Sequence, residues 1–403
     1  MSSKLIFNKA VFGAILLISG TCIGAGTLGL PVQTAMLGLL PTILLLAAVW
    51  IVMSISALLM LEINLALPKY SNLISMANVT LGTIGKRVAW VVYLLFFYSL
   101  LAAYTSGGVA MIQQVIPLQQ LIAITIFIIP LALIIYCGTR VADYSNRVLM
   151  LGVVITFGIL IYLITSKFDL SLPAALTSED IFASNSNLNI KSFLIALPII
   201  VTSFGFHHLV PSIRSYLNCN VKQLRVAIIV GGLVPLVVYA IWLFLVFALA
   251  PATGTALDST DALIMALSRG DNSILLAVAC WGFFVLSTSF IGVSLGLLDF
   301  LADGTGLKKT AKNRAWLVLL TLLPPAVYTV LYPSGFLLAL SYGGIFAAIL
   351  LILYPALMVW YGRYSTTKVL KDEHYQVFGG KALLVIIIGF GLVVVAANCK
   401  YLL

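Results

Sequence analysis

Two adjacent histidines, His207 and His208, stand in the middle of an apolar stretch, "LPIIVTSFGFHHLVPSI", from Leu197 to Ile213. With an ordinary pKa of about 6.5, an imidazole takes and releases a proton near neutral pH. For His207, proton coupling or substrate contact stands against a neutral ring bonded to a backbone carbonyl; His208 ranks behind it. Glu62, in "LLMLEINLALPKY", is the one acid inside an early apolar stretch. It suits either a proton relay or a gate pair with a basic residue, because ionisable groups at membrane depth are functional by default. Ser287, Thr288 and Ser289, in "LSTSFIG", offer hydroxyl oxygens. Such hydroxyls bond back to their own helix, or they join the carbonyls of Gly20 and Ile23 in an oxygen cage for a cation.

The backbone itself is a further chemical group. "SGTCIGAGTLGLPV", Ser19 to Val32, puts Gly20, Gly24, Gly26, Gly29 and Pro31 into one apolar run. Each glycine weakens a helix by about 1 kcal/mol relative to alanine, and proline by about 3 kcal/mol. A helix broken there exposes N–H groups on one half and C=O groups on the other, and in lipid these must line a cavity. A half-helix starting near Gly24–Gly26 would aim its N–H groups and positive dipole end at a carboxylate. The stretch from Leu197 to Ile213 has the same character, with Thr202, Ser203 and Gly205 between Pro198 and Pro211. Carbonyls of Thr202, Ser203 and Phe204 would suit an ammonium group. The expected pocket for a zwitterionic amino acid is thus Gly20, Thr21, Ile23, Gly24, Ala25 and Gly26 facing Thr202, Ser203, Phe204 and Phe206. Packing of small residues between helices is the other account of the glycines. Tyr98 and Tyr104, in "YSLLAAYTSGG", either line this pocket or pack in the bundle.

These groups need long apolar helices to position them, and the composition supplies little else. Apolar residues make up 62% of the 403, charged residues 8%, and the mean hydropathy is +1.16. Soluble domains carry roughly 25% charged residues, so the chain reads as an integral, all-α polytopic membrane protein. Spans are expected near 9–35, 39–66, 88–115, 119–138, 148–166, 192–217, 225–250, 273–300, 314–331, 334–361 and 382–402. With the N-terminus in the cytoplasm, 18 Lys and Arg fall inside and 4 outside, as the positive-inside rule requires. The net charge of +10 is therefore a topology signal and not a nucleic-acid footprint. Five scattered cysteines without a CxxC pair argue against a disulfide framework or a metal cluster, and no cofactor is expected. The first run is too long for a signal-peptide core and reads as an uncleaved span.

Five spans precede the polar segment 167–191, and five is odd. A second block of five then starts from the opposite side. Residues 9–166 and 192–361 are expected to form inverted repeats, with 382–402 as an added span. Matching Gly/Pro interruptions in the first span of each half point to the binding site of a secondary transporter.

"GTCIGAGTLGLPV", "TSFGFHHLVPSIRSY", "SFIGVSLGLLDFLAD" and "FLLALSYGG" resemble the bacterial hydroxy and aromatic amino acid permeases, of the amino acid–polyamine–organocation superfamily. Within that family the chain is most similar to its tyrosine-specific permeases, over nearly its whole length. The resemblance implies a LeuT-like fold of 5+5 inverted spans plus one, in a bacterial inner membrane, with a periplasmic C-terminus. It also implies proton-coupled uptake of an aromatic amino acid, L-tyrosine foremost. His207 takes the family's histidine position, whereas His208 stands where tyrosine permeases carry a small residue. A sodium-coupled carrier of another neutral amino acid is the rival within transporters. A membrane-embedded enzyme lacks a partner for His207 in catalysis, and a channel would need polar groups at all depths.

Overall fold

The computed structural model of the protein describes residues 8–24, 26–68, 71–168, 190–249, 259–305, 307, 310–365, 370 and 375–402. Among them are fifteen α-helices: α1 Lys9–Cys22, α2 Gly26–Thr34, α3 Leu39–Ala66, α4 Leu73–Val115, α5 Gln120–Cys137, α6 Thr139–Lys167, α7 Ile190–Ser203, α8 Val210–Tyr216, α9 Val221–Leu249, α10 Thr260–Ser268, α11 Asn272–Thr305, α12 Ala311–Leu331, α13 Phe336–Ala347, α14 Tyr354–Tyr364 and α15 Gly380–Leu402. No strand occurs among the described residues. Ten spans are long and apolar enough to cross a bilayer, with α7–α8 and α13–α14 each counted as one. The α1–α2 pair, bent by 52°, makes the eleventh. That agrees with the expected count.

The helices turn large apolar side chains such as Leu44, Leu121, Val154 and Ile386 outward because lipid is their solvent, and their backbone groups are satisfied internally. Several hydroxyls inside the spans follow the same rule. Thr105, Thr156, Thr202, Ser203 and Thr321 each donate to a carbonyl four residues back.

Two groups of helices meet at the centre. In one, α1 packs along α9, α9 along α3, and α2 along α7. In the other, α4 packs against α11 and α12, and α12 against α5. The remaining helices clasp these groups in a corresponding way, α6 against α11 and α13 against α4. Arg214 of α8 ties the first group together. Its guanidinium donates to the carbonyls of Asn64 and Leu67 at the end of α3, which caps carbonyls that no longer have helical partners.

Three features depart from the sequence reading. The fourth helix begins fifteen residues before the expected start of its span, with Asn72 capping it through the Ser75 N–H. It kinks at Gly82, whose φ of 72° lies in the left-handed region that glycine enters without steric penalty. A short helix, α10, fills the polar gap after α9, capped by Ser259. Finally, Ala348–Leu353 form a π-helical segment between α13 and α14, where the hydroxyl of Ser56 donates to the Leu351 carbonyl. Such segments free a backbone carbonyl and recur at functional sites.

Candidate functional site

The first span breaks between Cys22 and Gly26, and the sixth at Phe204–Phe206, followed by a 3-10 turn at His207–Leu209. Both breaks were expected on Gly/Pro content. Their loose backbone ends are taken up by local bonds and by α9. The Tyr239 hydroxyl donates to the Cys22 carbonyl at 2.6 Å and, more weakly, to the Ser203 carbonyl at 3.4 Å. The Trp242 indole N–H donates to the Thr27 carbonyl. Thr27 returns both its N–H and its hydroxyl to the Gly24 carbonyl. Tyr239 and Trp242 thus anchor the broken helix, and the sequence reading missed both; an i, i+3 aromatic pair inside a span is the signal that was there.

The glycines of the first break are points of close approach. A side chain on Gly24 would strike the Ser289 hydroxyl of α11 at 2.6 Å, with the Tyr104 hydroxyl 3.7 Å away. One on Gly26 would collide with the Ser203 hydroxyl and meet the Tyr239 hydroxyl at 3.0 Å. Gly20 faces Met150 of α6 instead.

Between the breaks lies a pocket of about 20 Å³, room for about one water. Thr21, Cys22 and Gly26 line it from the first span, and Thr202, Ser203, Gly205 and His208 from the sixth. Phe96, Leu100 and Tyr104 of α4 close one side and Val293 of α11 another. No charged side chain lines it among the described residues. Phe96, Leu100 and Tyr104 recur every four residues, so they form one stripe along α4. The four-residue spacing is legible in the sequence, although only Tyr104 of the three is among the sequence candidates.

Tyr98 is corrected. Two residues on from Phe96, it sits about 200° around the helix, and its hydroxyl donates to the Leu320 carbonyl of α12 at 2.8 Å. His207 is fully buried, packs against the Phe206 ring at 5.2 Å, and lines neither the pocket nor the larger cavity described next. His208, ranked second, lines both. Glu62 is held by a basic partner, as the gate-pair reading expects. Both its oxygens bind the Arg363 guanidinium, at 2.7 and 2.5 Å, and one also accepts the Val377 N–H at 2.8 Å.

Of the remaining candidates, Phe204 and Phe206 are fully buried, Phe204 edge-on to Tyr239 at 5.9 Å. Neither lines the pocket. Ile23 sits in the break itself, and Ala25 lies outside the described residues. In the expected cation cage, the Thr288 hydroxyl donates to the Val285 carbonyl at 2.8 Å, Ser287 is fully buried, and Gly20 packs on α6. No cluster of His, Cys, Asp or Glu suited to a metal occurs among the described residues.

Below His208 opens a vestibule of about 750 Å³. Its walls come from the start of α4, from α8 and from the end of α11, all on the side of the chain where α1 begins. On the opposite side, α10 lies across α2 and α11, Gln114 binds Asp261 at 2.7 Å, and Trp242 packs on Trp281 at 4.5 Å. These contacts close the side opposite the vestibule, and His208 is the residue that borders both the pocket and the vestibule.

The profile of the tryptophan/tyrosine permease family matches residues 7–398. The chain belongs to that family. A tyrosine-specific transport system of Haemophilus influenzae is 33% identical over 96% of both chains. A tryptophan-specific transport protein of the same organism is 30% identical over 97% of this chain and 96% of its own. Among solved structures, a manganese transporter of Eremococcus coleocola aligns with a TM-score of 0.64 over 97% of this chain and 85% of its own, at 13% identity. That likeness concerns the fold, which is LeuT-like. This permease is a multi-pass membrane transporter and not an enzyme.

Proposed function

We propose that the chain imports an aromatic amino acid, L-tyrosine foremost, together with protons, by alternating access around its two broken spans. The observation that carries this reading is the pocket where the breaks meet. Its described lining holds hydroxyls, a thiol, an imidazole and aromatic rings, but no charge. A zwitterion fits such a lining, because helix-end dipoles at the breaks meet its charges. Phe96 and Tyr104 offer a wall for a ring. The names of the tyrosine- and tryptophan-specific relatives support the same substrate class.

At about 20 Å³ the pocket is far below the roughly 300 Å³ at which ligand pockets begin. The vestibule is large and opens on the Lys/Arg-rich side. We read this pair as the state after release to the cytoplasm, with the N-terminus inside and the C-terminus in the periplasm. The matching breaks in α1–α2 and α7–α8, and the matching contacts of α6 with α11 and α13 with α4, support inverted repeats at 9–166 and 192–361 with 382–402 added. We assign proton exchange to His208, since it borders both the pocket and the vestibule.

The test is uptake of labelled L-tyrosine into proteoliposomes under separately imposed proton and sodium gradients, with a panel of competing amino acids. Proton-driven accumulation, competed by aromatic amino acids and not by lysine or glutamate, is expected. Accumulation driven by sodium alone would move the coupling to the Ser287–Thr288 region. Equal competition by glutamate or arginine would overturn the substrate class.

A further inference from the structure

We propose that the vestibule is itself a binding site for an aromatic amino acid, a staging site between the central pocket and the Lys/Arg-rich side. The proposal rests on the reading that the chain carries such a substrate. Its volume of about 750 Å³ falls within the range of small-molecule sites, roughly 300–1,000 Å³.

One wall is a ladder of rings. Trp90 lies 5.3 Å from Phe300, Phe300 stacks on Tyr93 at 4.6 Å, and Tyr93 stacks on Phe97 at 4.5 Å. Phe97 meets His208 edge-on at 6.1 Å. From Trp90 to Phe97 the helix climbs about 10 Å, so the ladder runs from the mouth of the vestibule to the imidazole under the pocket. Tyr93 is sandwiched between Phe97 and Phe300, while Trp90 and Phe300 at the mouth end, like His208 at the other, are partly exposed and border the cavity.

The rim supplies the other half of the recognition. Lys86 lines the same cavity as Asp299 and Asp303, so both signs of charge stand where an amino acid's carboxylate and ammonium would lie. A ring stacked on the ladder with its zwitterion toward the rim satisfies both walls at once. Aliphatic or acidic amino acids satisfy at most one. The site is a second selection step for aromatic cargo, reached from the central pocket when His208 swings aside.

The experiment is equilibrium binding of L-tryptophan to the full chain in lipid nanodiscs, which keep detergent out of the vestibule. The parental chain is expected to show two classes of site, the weaker at least tenfold below the tighter. Trp90→Ala and Phe300→Ala should each remove the weaker class, by a further tenfold or more, and keep the tighter. Gly24→Leu should do the reverse. A single tight class in the parental chain, or two undisturbed classes in both ring variants, would overturn the staging site while leaving the transport reading intact. Absence of any aromatic binding would overturn both. If the ring variants do not fold, Asp303→Asn on the exposed rim carries the test. It should weaken only the weaker class, at least threefold, and an unchanged weaker class would overturn the assignment.

Discussion

Replacing Glu62 by Gln separates a structural clasp from a proton relay. Three donors converge on the two carboxylate oxygens: Arg363 Nε, Arg363 Nη2 and the Val377 N–H. The side chains are 0% and 8% exposed for Glu62 and Arg363. Arg363 Nη2 also donates to the Val377 carbonyl at 3.0 Å, so the pair ties the end of α3 and the end of α14 to the segment before α15. In Glu62→Gln the guanidinium stays buried without its counter-charge. The amide offers one acceptor and turns its NH2 toward a donor. Removing one partner of a buried ion pair costs about 3–5 kcal/mol. At 1.4 kcal/mol per tenfold, the folded-to-unfolded ratio drops by about two to three and a half powers of ten.

The assay is thermal unfolding in nanodiscs beside two transport measurements, tyrosine exchange and proton-driven accumulation. A clasp predicts a clear fall in melting temperature, with exchange and accumulation declining together as folded protein is lost. Glu62→Leu combined with Arg363→Met should recover most of the stability, because apolar replacement of a whole buried pair is often neutral. A Glu62→Gln protein of unchanged stability that exchanges tyrosine but fails to accumulate it would refute this reasoning and restore the relay.

Three further outcomes are expected. Gly26→Ala should lower substrate affinity at least tenfold by pressing its methyl into the Ser203 hydroxyl, and Ser203→Gly in the same chain should recover much of the loss, as measured by equilibrium binding. His208→Gln should keep tyrosine exchange between loaded vesicles and lose at least tenfold in proton-driven accumulation, while His207→Gln should accumulate normally; the reverse pattern would return coupling to His207. Asp271, half-buried just ahead of α11, has its carboxyl held below the usual range by Lys167, 2.5 Å away, and then by Ser273. Its small stabilising effect is present above the unfolded carboxylate value of about 4 and is lost as pH falls below it; Asp271→Asn should lower the melting temperature slightly at neutral pH and not at the acid end of a pH series.

What could be read from the sequence follows from how strongly each feature is forced. A broken span is forced: Gly24, Gly26 and Pro31 oppose helix where lipid demands satisfied backbone, so both breaks fell where the residue types put them. A kink after a capped amphipathic turn is forced less. Asn72 and Gly82 signal it, but the apolar stretch beginning at 88 hides the shorter helix before it. The partner of Glu62 could not be read at all, since Arg363 lies 301 residues away and no local pattern links them.

The two histidines mark the sharpest boundary. Neighbours in a 3-10 turn point about 120° apart, so one of the pair must turn from the pocket if the other faces it. Which one depends on how Phe204, Gly205 and Phe206 rotate the chain as it leaves α7. The N–H groups of Phe204 and Gly205 each bond three residues back, to Val201 and Thr202. Gly205 also fits against Leu351 of the π-helical segment, where an added side chain would stand 3.4 Å from it and 3.0 Å from the Thr202 carbonyl. The rotation that puts His208 at the pocket and His207 against Phe206 is thus fixed in part by a helix some 150 residues downstream. Which of the two adjacent imidazoles borders the pocket is thus chosen by tertiary packing, and the sequence shows only that one of them can.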